Sequence, residues 1–311
     1  MKILIAYDGS ECADSALEEL KIAGLPKTAE ATVMSLADVF LPPSTNEAAD
    51  DTFPVYVSAG VELALKRAER ELKRADLMAQ GASKQIKKSF PDWQVHYEAL
   101  ADSPAWGLIK KSDEWAADLI VIGARGHSVL GGRLVLGSVS QRVLYEARCS
   151  VRIARGGGRD SGTPLRIVIA VDNSTYSNAA VDTVRLRDWP TGTEVRLLTV
   201  VDTVMPVAPD PSSPLSMKWI EVEDDDNWDQ VRQIFEPSVE KLRSAGLNAS
   251  LMIRRGNPKD EIIEEAEGWG ADCIFLGAKG TRGVERLLLG SVSSAVSARA
   301  RCSVEVVRKA E

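Results

Sequence analysis

The 311-residue sequence holds only two histidines, His96 and His127, and four cysteines, Cys12, Cys149, Cys273 and Cys302. No two cysteines stand in CxxC spacing, which excludes zinc-ribbon and thioredoxin-type readings, and two histidines are too few for a histidine-based metal site. Cys149 and Cys302 each precede a terminal apolar run and read as small buried hydrophobes. No apolar run approaches the ~20 residues that span a bilayer. Nor does Met1–Asp8 resemble a secretory leader: its apolar stretch is only Ile3–Tyr7 and an acid follows at once. The expected location is therefore the cytoplasm, with no membrane partner. Excess positive charge is missing too. The net charge of −7 argues against a nucleic-acid partner, though not against a mononucleotide whose phosphates are met locally by backbone dipoles. Several familiar signatures are also absent: the GxxxxGK[ST] loop, GxGxxG after a strand, the GxSxG elbow and an SGGxDS-type loop.

What the chain does have is a repeat. Ile3–Ser10 matches Ile167–Ser174, Asp118–Gly123 matches Asp272–Gly277, and Arg148–Ile153 matches Arg301–Val306. At roughly 150 residues per domain, the length fits two copies. The apolar fraction of 44% and charged fraction of 27% are those of a globular protein. The expected domains are 1–155 and 165–311, joined by a glycine-, serine- and proline-bearing linker over 156–164.

Each copy alternates strand and helix. In the first copy, strands are expected near 2–7, 31–38, 93–100, 118–122 and 149–154. Helices are expected near 12–22, 57–88 and 104–116 and from 138, and the second copy repeats the order. Alternation predicts an α/β fold of two tandem doubly wound domains, each a parallel sheet with helices on both faces. Strand runs that are apolar throughout, such as Leu119–Ile122, fit a sheet covered on both faces. Val61, Leu65, Ala68, Leu72 and Ala75 form an apolar stripe on the long helix. Trp106, Trp115 and Trp269 fall on helices at core-like spacing, so packing is expected of them. Two insertions, Leu41–Pro54 and Met205 to about Asp229, read as mobile segments or domain-contact flaps. The terminal strands, Val151–Ala154 and Val304–Val307, are the edges expected to meet within one chain as a pseudo-dimer. A further pairing of two chains into a homodimer stays open.

The informative element is a glycine loop present twice. The first copy reads Gly123-Ala-Arg-Gly126, ten residues, then Gly137-Ser138. The second reads Gly277-Ala-Lys-Gly280, nine residues, then Gly290-Ser291. Each follows a strand and opens a helix, where free backbone N–H groups suit a phosphate. Glycines at 123 and 126 are expected to take positive φ and approach a ligand closely. Asp8 and Asp172 end the first strand of each copy and suit ribose hydroxyls or a cation bridging phosphates. In a doubly wound sheet such residues converge at the carboxyl ends of the strands. The bland reading makes the glycines turns and the serines N-caps; two copies in register weaken it. His127 reads better as an exposed loop residue than as a catalytic base. Arg125 and Lys279 are as well explained as solvated cations as by phosphate neutralisation.

This G-x2-G-x9-G-[ST] pattern, with an Asp after the first strand, resembles the universal stress protein family, in its tandem ATP-binding form. The resemblance covers nearly the whole chain. It implies five-stranded sheets of order 3-2-1-4-5, with ATP, accompanied by magnesium, at the point where strand order reverses. By matching motif, Asp8 and Asp172 would contact ribose. Gly123, Gly126, Gly137 and Ser138 would hold phosphates in copy one, and Gly277, Gly280, Gly290 and Ser291 in copy two. Adenine would lie against Leu36 and Val200. A G-x-P turn of the family stands as Gly256-Asn-Pro258, whereas copy one has Asp102-Ser-Pro104. Copy one also has the longer spacer, its additional residue lying in His127–Gly132, so copy two ranks first as a site.

The resemblance implies a regulatory nucleotide-binding protein of the stress response. No positioned base or nucleophile is evident, so fast turnover is not expected. A slow ATPase or self-phosphorylating enzyme, with Ser138, Ser140, Ser291 and Ser293 as acceptors, is one alternative. A nucleotide-free scaffold is the other.

Overall fold

Short apolar runs ending at glycine, aspartate or serine make the strands, and serine or proline opens most of the helices between them. The computed structural model describes residues 1–39, 59–126, 136–156, 163–201, 204–206, 219–221, 226–280 and 289–309. The first half contains β1 (Lys2–Ala6), α1 (Glu11–Glu19), β2 (Glu30–Ala37), α2 (Ala59–Ser89), β3 (Gln94–Ala101), α3 (Pro104–Glu114), β4 (Leu119–Gly123), α4 (Ser138–Glu146) and β5 (Ser150–Ala154). The second contains β6 (Arg166–Ala170), α5 (Thr175–Leu186), β7 (Glu194–Val201), β8 (Val204–Pro206), β9 (Trp219–Glu221), α6 (Asp226–Ser244), β10 (Asn248–Arg255), α7 (Pro258–Trp269), β11 (Cys273–Gly277), α8 (Ser291–Arg299) and β12 (Ser303–Val307).

Ten strands form one sheet in the order β10-β7-β6-β11-β12-β5-β4-β1-β2-β3. Each half is a parallel five-stranded unit of order 3-2-1-4-5. The halves join where β12 runs antiparallel to β5, pairing Val304 with Ile153, Glu305 with Arg152 and Val306 with Val151. The terminal strands therefore meet as expected, and each covers the other's open edge.

The core follows this joining. On one face, α3, α4, α7 and α8 pack over a single apolar cluster running through both halves, including Leu108, Val143, Val151, Ile262, Val296 and Val304. On the other face the core is split. Ile5, Leu20, Val33 and Ile86 pack under α1 and α2, and Ile169, Val181, Phe235 and Leu242 under α5 and α6.

On α2 the buried stripe runs from Ala68 through Ala75, Ala79 and Ala82 to Ile86, while Val61, at the start of the expected stripe, is exposed. Small alanines let this long helix lie close against β2 and β3. Trp106 departs from expectation. It is 50% exposed and lies flat under the Arg142 guanidinium, 4.8 Å from its ring centre. Trp115 and Trp269 are partly buried against the shared core. In the second insertion β8 and β9 pair antiparallel. The end of the expected second insertion, from Asp226, is already the first turn of α6, while the first insertion, His127–Gly132, 207–218 and 222–225 lie outside the described residues.

Candidate functional site

The site is built at the carboxyl ends of β1 and β4, the two strands flanking the reversal of order in the first half; β6 and β11 play the same part in the second. After β1 the chain turns through Asp8, Gly9 and Ser10. Gly9 has φ +74°, and Asn173, at the same place in copy two, has φ +63°. Asparagine is among the few side chains that tolerate this left-handed conformation, so Asp-Gly-Ser and Asp-Asn-Ser form one turn. Its closure is the same in both halves. The Ser10 N–H donates to Asp8 Oδ1 at 3.0 Å, and the Ser174 N–H to Asp172 Oδ1 at 3.0 Å.

The serine then caps the next helix. Ser10 Oγ accepts from the Ala13 N–H at 3.2 Å and Ser174 Oγ from the Ser177 N–H at 3.1 Å. Each hydroxyl also lies 3.4 Å from a glycine-loop carbonyl, that of Arg125 or Lys279, and donates to it. These serines stitch the first turn to the glycine loop. The Asp-x-Ser repeat was the available signal for that role, which the sequence reading did not assign.

The glycines act by close approach, and Gly123, Gly126, Gly137, Gly277, Gly280 and Gly290 do not have positive φ. This corrects the expectation for Gly123 and Gly126. A Cβ built on Gly123 would stand 2.9 Å from the Cys12 carbonyl carbon, and one on Gly277 would stand 2.6 Å from that of Tyr176. Gly123 and Gly277 thus let β4 and β11 pass against the first turns of α1 and α5. Gly126 and Gly280 do something else. A Cβ on either would fall 2.5 Å from a carboxylate oxygen, Asp8 Oδ2 or Asp172 Oδ2. The carboxylate is laid over bare backbone, and both carboxylates are exposed.

The loop returns at Gly137 and Gly290. The Gly137 N–H donates to the Ala124 carbonyl at 2.9 Å and the Gly290 N–H to the Ala278 carbonyl at 2.7 Å. Both glycines are helix N-caps, and with no side chain to offer they leave the first N–H groups of α4 and α8 without a cap from that residue. Ser138 and Ser291 are exposed at these helix starts, whereas Ser140 and Ser293 are buried. Ser140 Oγ donates to the Ala124 carbonyl at 2.8 Å, and Ser293 Oγ to the Gly277 carbonyl at 2.7 Å. The structure therefore brings together Asp8, Gly126, Gly137 and Ser138 in one half, and Asp172, Gly280, Gly290 and Ser291 in the other.

Leu36 and Val200 lie beside this cluster, each two residues past the last strand pair linking β1 to β2 or β6 to β7, at Met34 and Leu198. Leu36 and Val200 are both half-buried against the shared core, and Leu36 packs on Gly107 of α3, where a Cβ would come within 2.6 Å. The two halves differ at the start of the next helix. Gly256 adopts φ +146°, and Asn257 caps α7 by accepting from the Lys259 N–H at 3.1 Å. In copy one Ser103 makes no such cap.

Around the first site the electrostatics are acidic. Burial, then the hydrogen bond the Tyr7 hydroxyl donates to Asp14 at 2.6 Å, pushes the Tyr7 pKa up to about 12, with Asp8 adding to the effect. Lys279 leans over the Tyr176 ring at 5.8 Å in the second. Among the described residues no group of three or more His, Cys, Asp or Glu could hold a metal ion. Among the described residues, the carboxylate set against the glycine loop is Asp8 in one half and Asp172 in the other. A cavity of about 410 Å³ lies elsewhere, near the amino end of β11, lined by Trp189, Asp272, Cys273 and Cys302 among others. No described helix is long and apolar enough to cross a membrane.

Comparisons with known proteins agree with this architecture. The sequence model of the universal stress protein family matches twice, over residues 1–155 and 165–308. A universal stress protein of Methanocaldococcus jannaschii is 32% identical over 157 residues, covering 50% of this chain and 81% of its own. One from Mycolicibacterium smegmatis is 28% identical over 226 residues, 69% of each chain. With a Bacillus subtilis universal stress protein the identity is 36% over 76 residues, and the chain spans about half of that relative, 51%. A solved universal stress protein from Archaeoglobus fulgidus superposes with a TM-score of 0.65 at 20% identity, over 99% of this chain and 98% of that one. Matched in both halves from first strand to last, the chain belongs to the universal stress protein family.

Proposed function

We propose that each half binds an adenine nucleotide at the carboxyl end of its sheet, with ATP and its magnesium ion as the ligand, and that binding serves regulation rather than turnover. The observation that carries this is the pair of helix starts with glycine at the N-cap, α4 behind Gly137 and α8 behind Gly290, each beside a carboxylate laid over glycine. The first N–H groups of a helix and the positive end of its dipole favour phosphate. Asp8 and Asp172 would take the ribose hydroxyls, and Leu36 and Val200 would give an apolar edge for adenine. Gly123 and Gly277 support the site from behind, by seating α1 and α5.

The halves 1–155 and 165–311, joined through 156–164, act as an intrachain pseudo-dimer in this reading, in the cytoplasm, with a homodimer as a further step. A self-phosphorylating activity keeps only Ser138 and Ser291 as acceptors, because Ser140 and Ser293 are buried and hydrogen-bonded to strand carbonyls.

Isothermal titration of magnesium-ATP into nucleotide-stripped protein tests the proposal. Two sites per chain are expected, the second half binding more tightly because only it carries the Gly256 turn and the Asn257 cap. A single site abolished by Asp172→Ala would confine binding to the second half. No heat, with an unchanged melting temperature, would overturn nucleotide binding and leave the scaffold reading.

A further inference from the structure

The β5–β12 seam relates the two halves by a near two-fold axis, and the pair on that axis is Arg152 opposite Glu305. Both residues follow the same Cys-Ser-Val triplet, so they are one position of the repeat. Both are also buried, at 2% and 0% exposure. Part of the seam is the same contact made twice. Arg155 donates to the Ser297 and Ala298 carbonyls at the end of α8, and Arg308 donates to the Leu144 and Cys149 carbonyls around the end of α4. Contacts of this kind would be equally available between two first halves or two second halves. The axial pair would not.

Arg152 Nη1 donates to Glu305 Oε2 at 3.3 Å, and its other terminal nitrogen lies 3.6 Å from Glu19. Glu305 in turn is clasped by both terminal nitrogens of Arg187. The row reads Glu19, Arg152, Glu305, Arg187, with signs alternating. Burial works against the Arg152 charge, yet Cys273, Glu19 and Glu305 hold its pKa above the ordinary guanidinium value. Each half gives the row one charge of each sign, Glu19 and Arg152 or Arg187 and Glu305, so every pairing is neutral overall, but the signs alternate only when unlike halves meet. Two first halves would bring Arg152 against Arg152, and two second halves Glu305 against Glu305. Facing like charges in a buried strand pair are strongly unfavourable.

We propose that Arg152 and Glu305 are a pairing code: the seam surface of each half accepts the complementary half and rejects its own kind. A chain therefore closes on itself instead of linking to other copies through β5–β5 or β12–β12 contacts. A polar pair that costs stability and fixes the partner is well attested in coiled coils.

Two full-length variants test this. Arg152→Glu makes both axial positions acidic, and Glu305→Arg makes both basic. Each alone should lose the closed seam, seen as a lowered melting temperature and, at the mass of a single chain, a shift to higher, more expanded charge states by native mass spectrometry. Refolded together, they should form a heterodimer, because the first half of the Glu305→Arg chain and the second half of the Arg152→Glu chain rebuild a native Arg152–Glu305 seam. Variants that each behave as wild type, or a mixture with no heterodimer, overturn the proposal. Should either variant fail to refold, the neutral chain Arg152→Met with Glu305→Gln decides. It should fold, and on refolding at rising concentration show at least ten-fold more multi-chain species than wild type. A wild-type mass distribution would overturn the code.

Discussion

At the scale of single residues, glycines that share one motif do different work, and substitution separates them. A Cβ at Gly277 meets Tyr176 and Ser177 backbone at 2.6 and 2.8 Å, and one at Gly123 meets Cys12 at 2.9–3.0 Å. Backbone cannot swing aside, so β11 or β4 must part from its helix. Gly277→Ala should cost on the order of 1–3 kcal/mol, the usual range for overpacking, and Gly123→Ala somewhat less. At Gly280 the obstacle is the far end of the Asp172 side chain, which can rotate away. Gly280→Ala should therefore hold stability within about 0.5 kcal/mol, as at a surface site. Because it displaces the carboxylate, it should weaken nucleotide binding in the second half at least ten-fold. Thermal melting and titration on the same two variants check the contrast. Equal loss of stability at 277 and 280 would refute this division of labour.

Among elements, the starts of α4 and α8 carry both architecture and the proposed chemistry, divided between serines two positions apart. Ser140 and Ser293 bind helix to strand. Truncating Ser293 to alanine takes the side-chain donor from the buried Gly277 carbonyl, at a cost of about 1–3 kcal/mol, whereas at Ser140 the Ala124 carbonyl keeps the Gly137 N–H and the loss should be about 0.5–1.5 kcal/mol. Ser138 and Ser291 face solvent, and their alanine variants should melt as wild type while binding nucleotide more weakly. Urea unfolding of the four variants, beside titration, reads both effects. Much of this was legible beforehand. The apolar runs marked the strands, their alternation with helices gave the fold class, and the repeat showed which loops would sit at the strand ends. Other features depend on contacts that no local pattern carries. Gly123 meets α1 more than a hundred residues earlier in the chain, so its packing role was hidden behind its motif. Trp106 has helical core spacing, yet Arg142, from the next helix, covers a ring that faces outward. Val61 continues the apolar period of α2, yet it is exposed.

Over the whole molecule, the ten strands and one shared apolar face make the halves a single cooperative body more than two beads on a string. The cluster beneath α3, α4, α7 and α8 crosses the seam without a break, whereas on the opposite face a buried charge row separates two cores. Cooperativity then rests on the shared face, on the β5–β12 pairing with its buried charge row, and on two arginines that reach across the seam. Arg155 and Arg308 each satisfy helix-terminal carbonyls of the other half, and a guanidinium there also opposes the negative end of the helix. Burial lowers the pKa of both, that of Arg308 to about 10, so their placement is costly and their removal leaves those carbonyls bare. Wild-type protein should unfold in one calorimetric transition. Arg155→Met combined with Arg308→Met should keep each half folded but uncouple them, giving two transitions with a calorimetric enthalpy well above the van't Hoff value. A single transition merely shifted to lower temperature would show that the apolar face and the β5–β12 seam couple the halves without these two arginines.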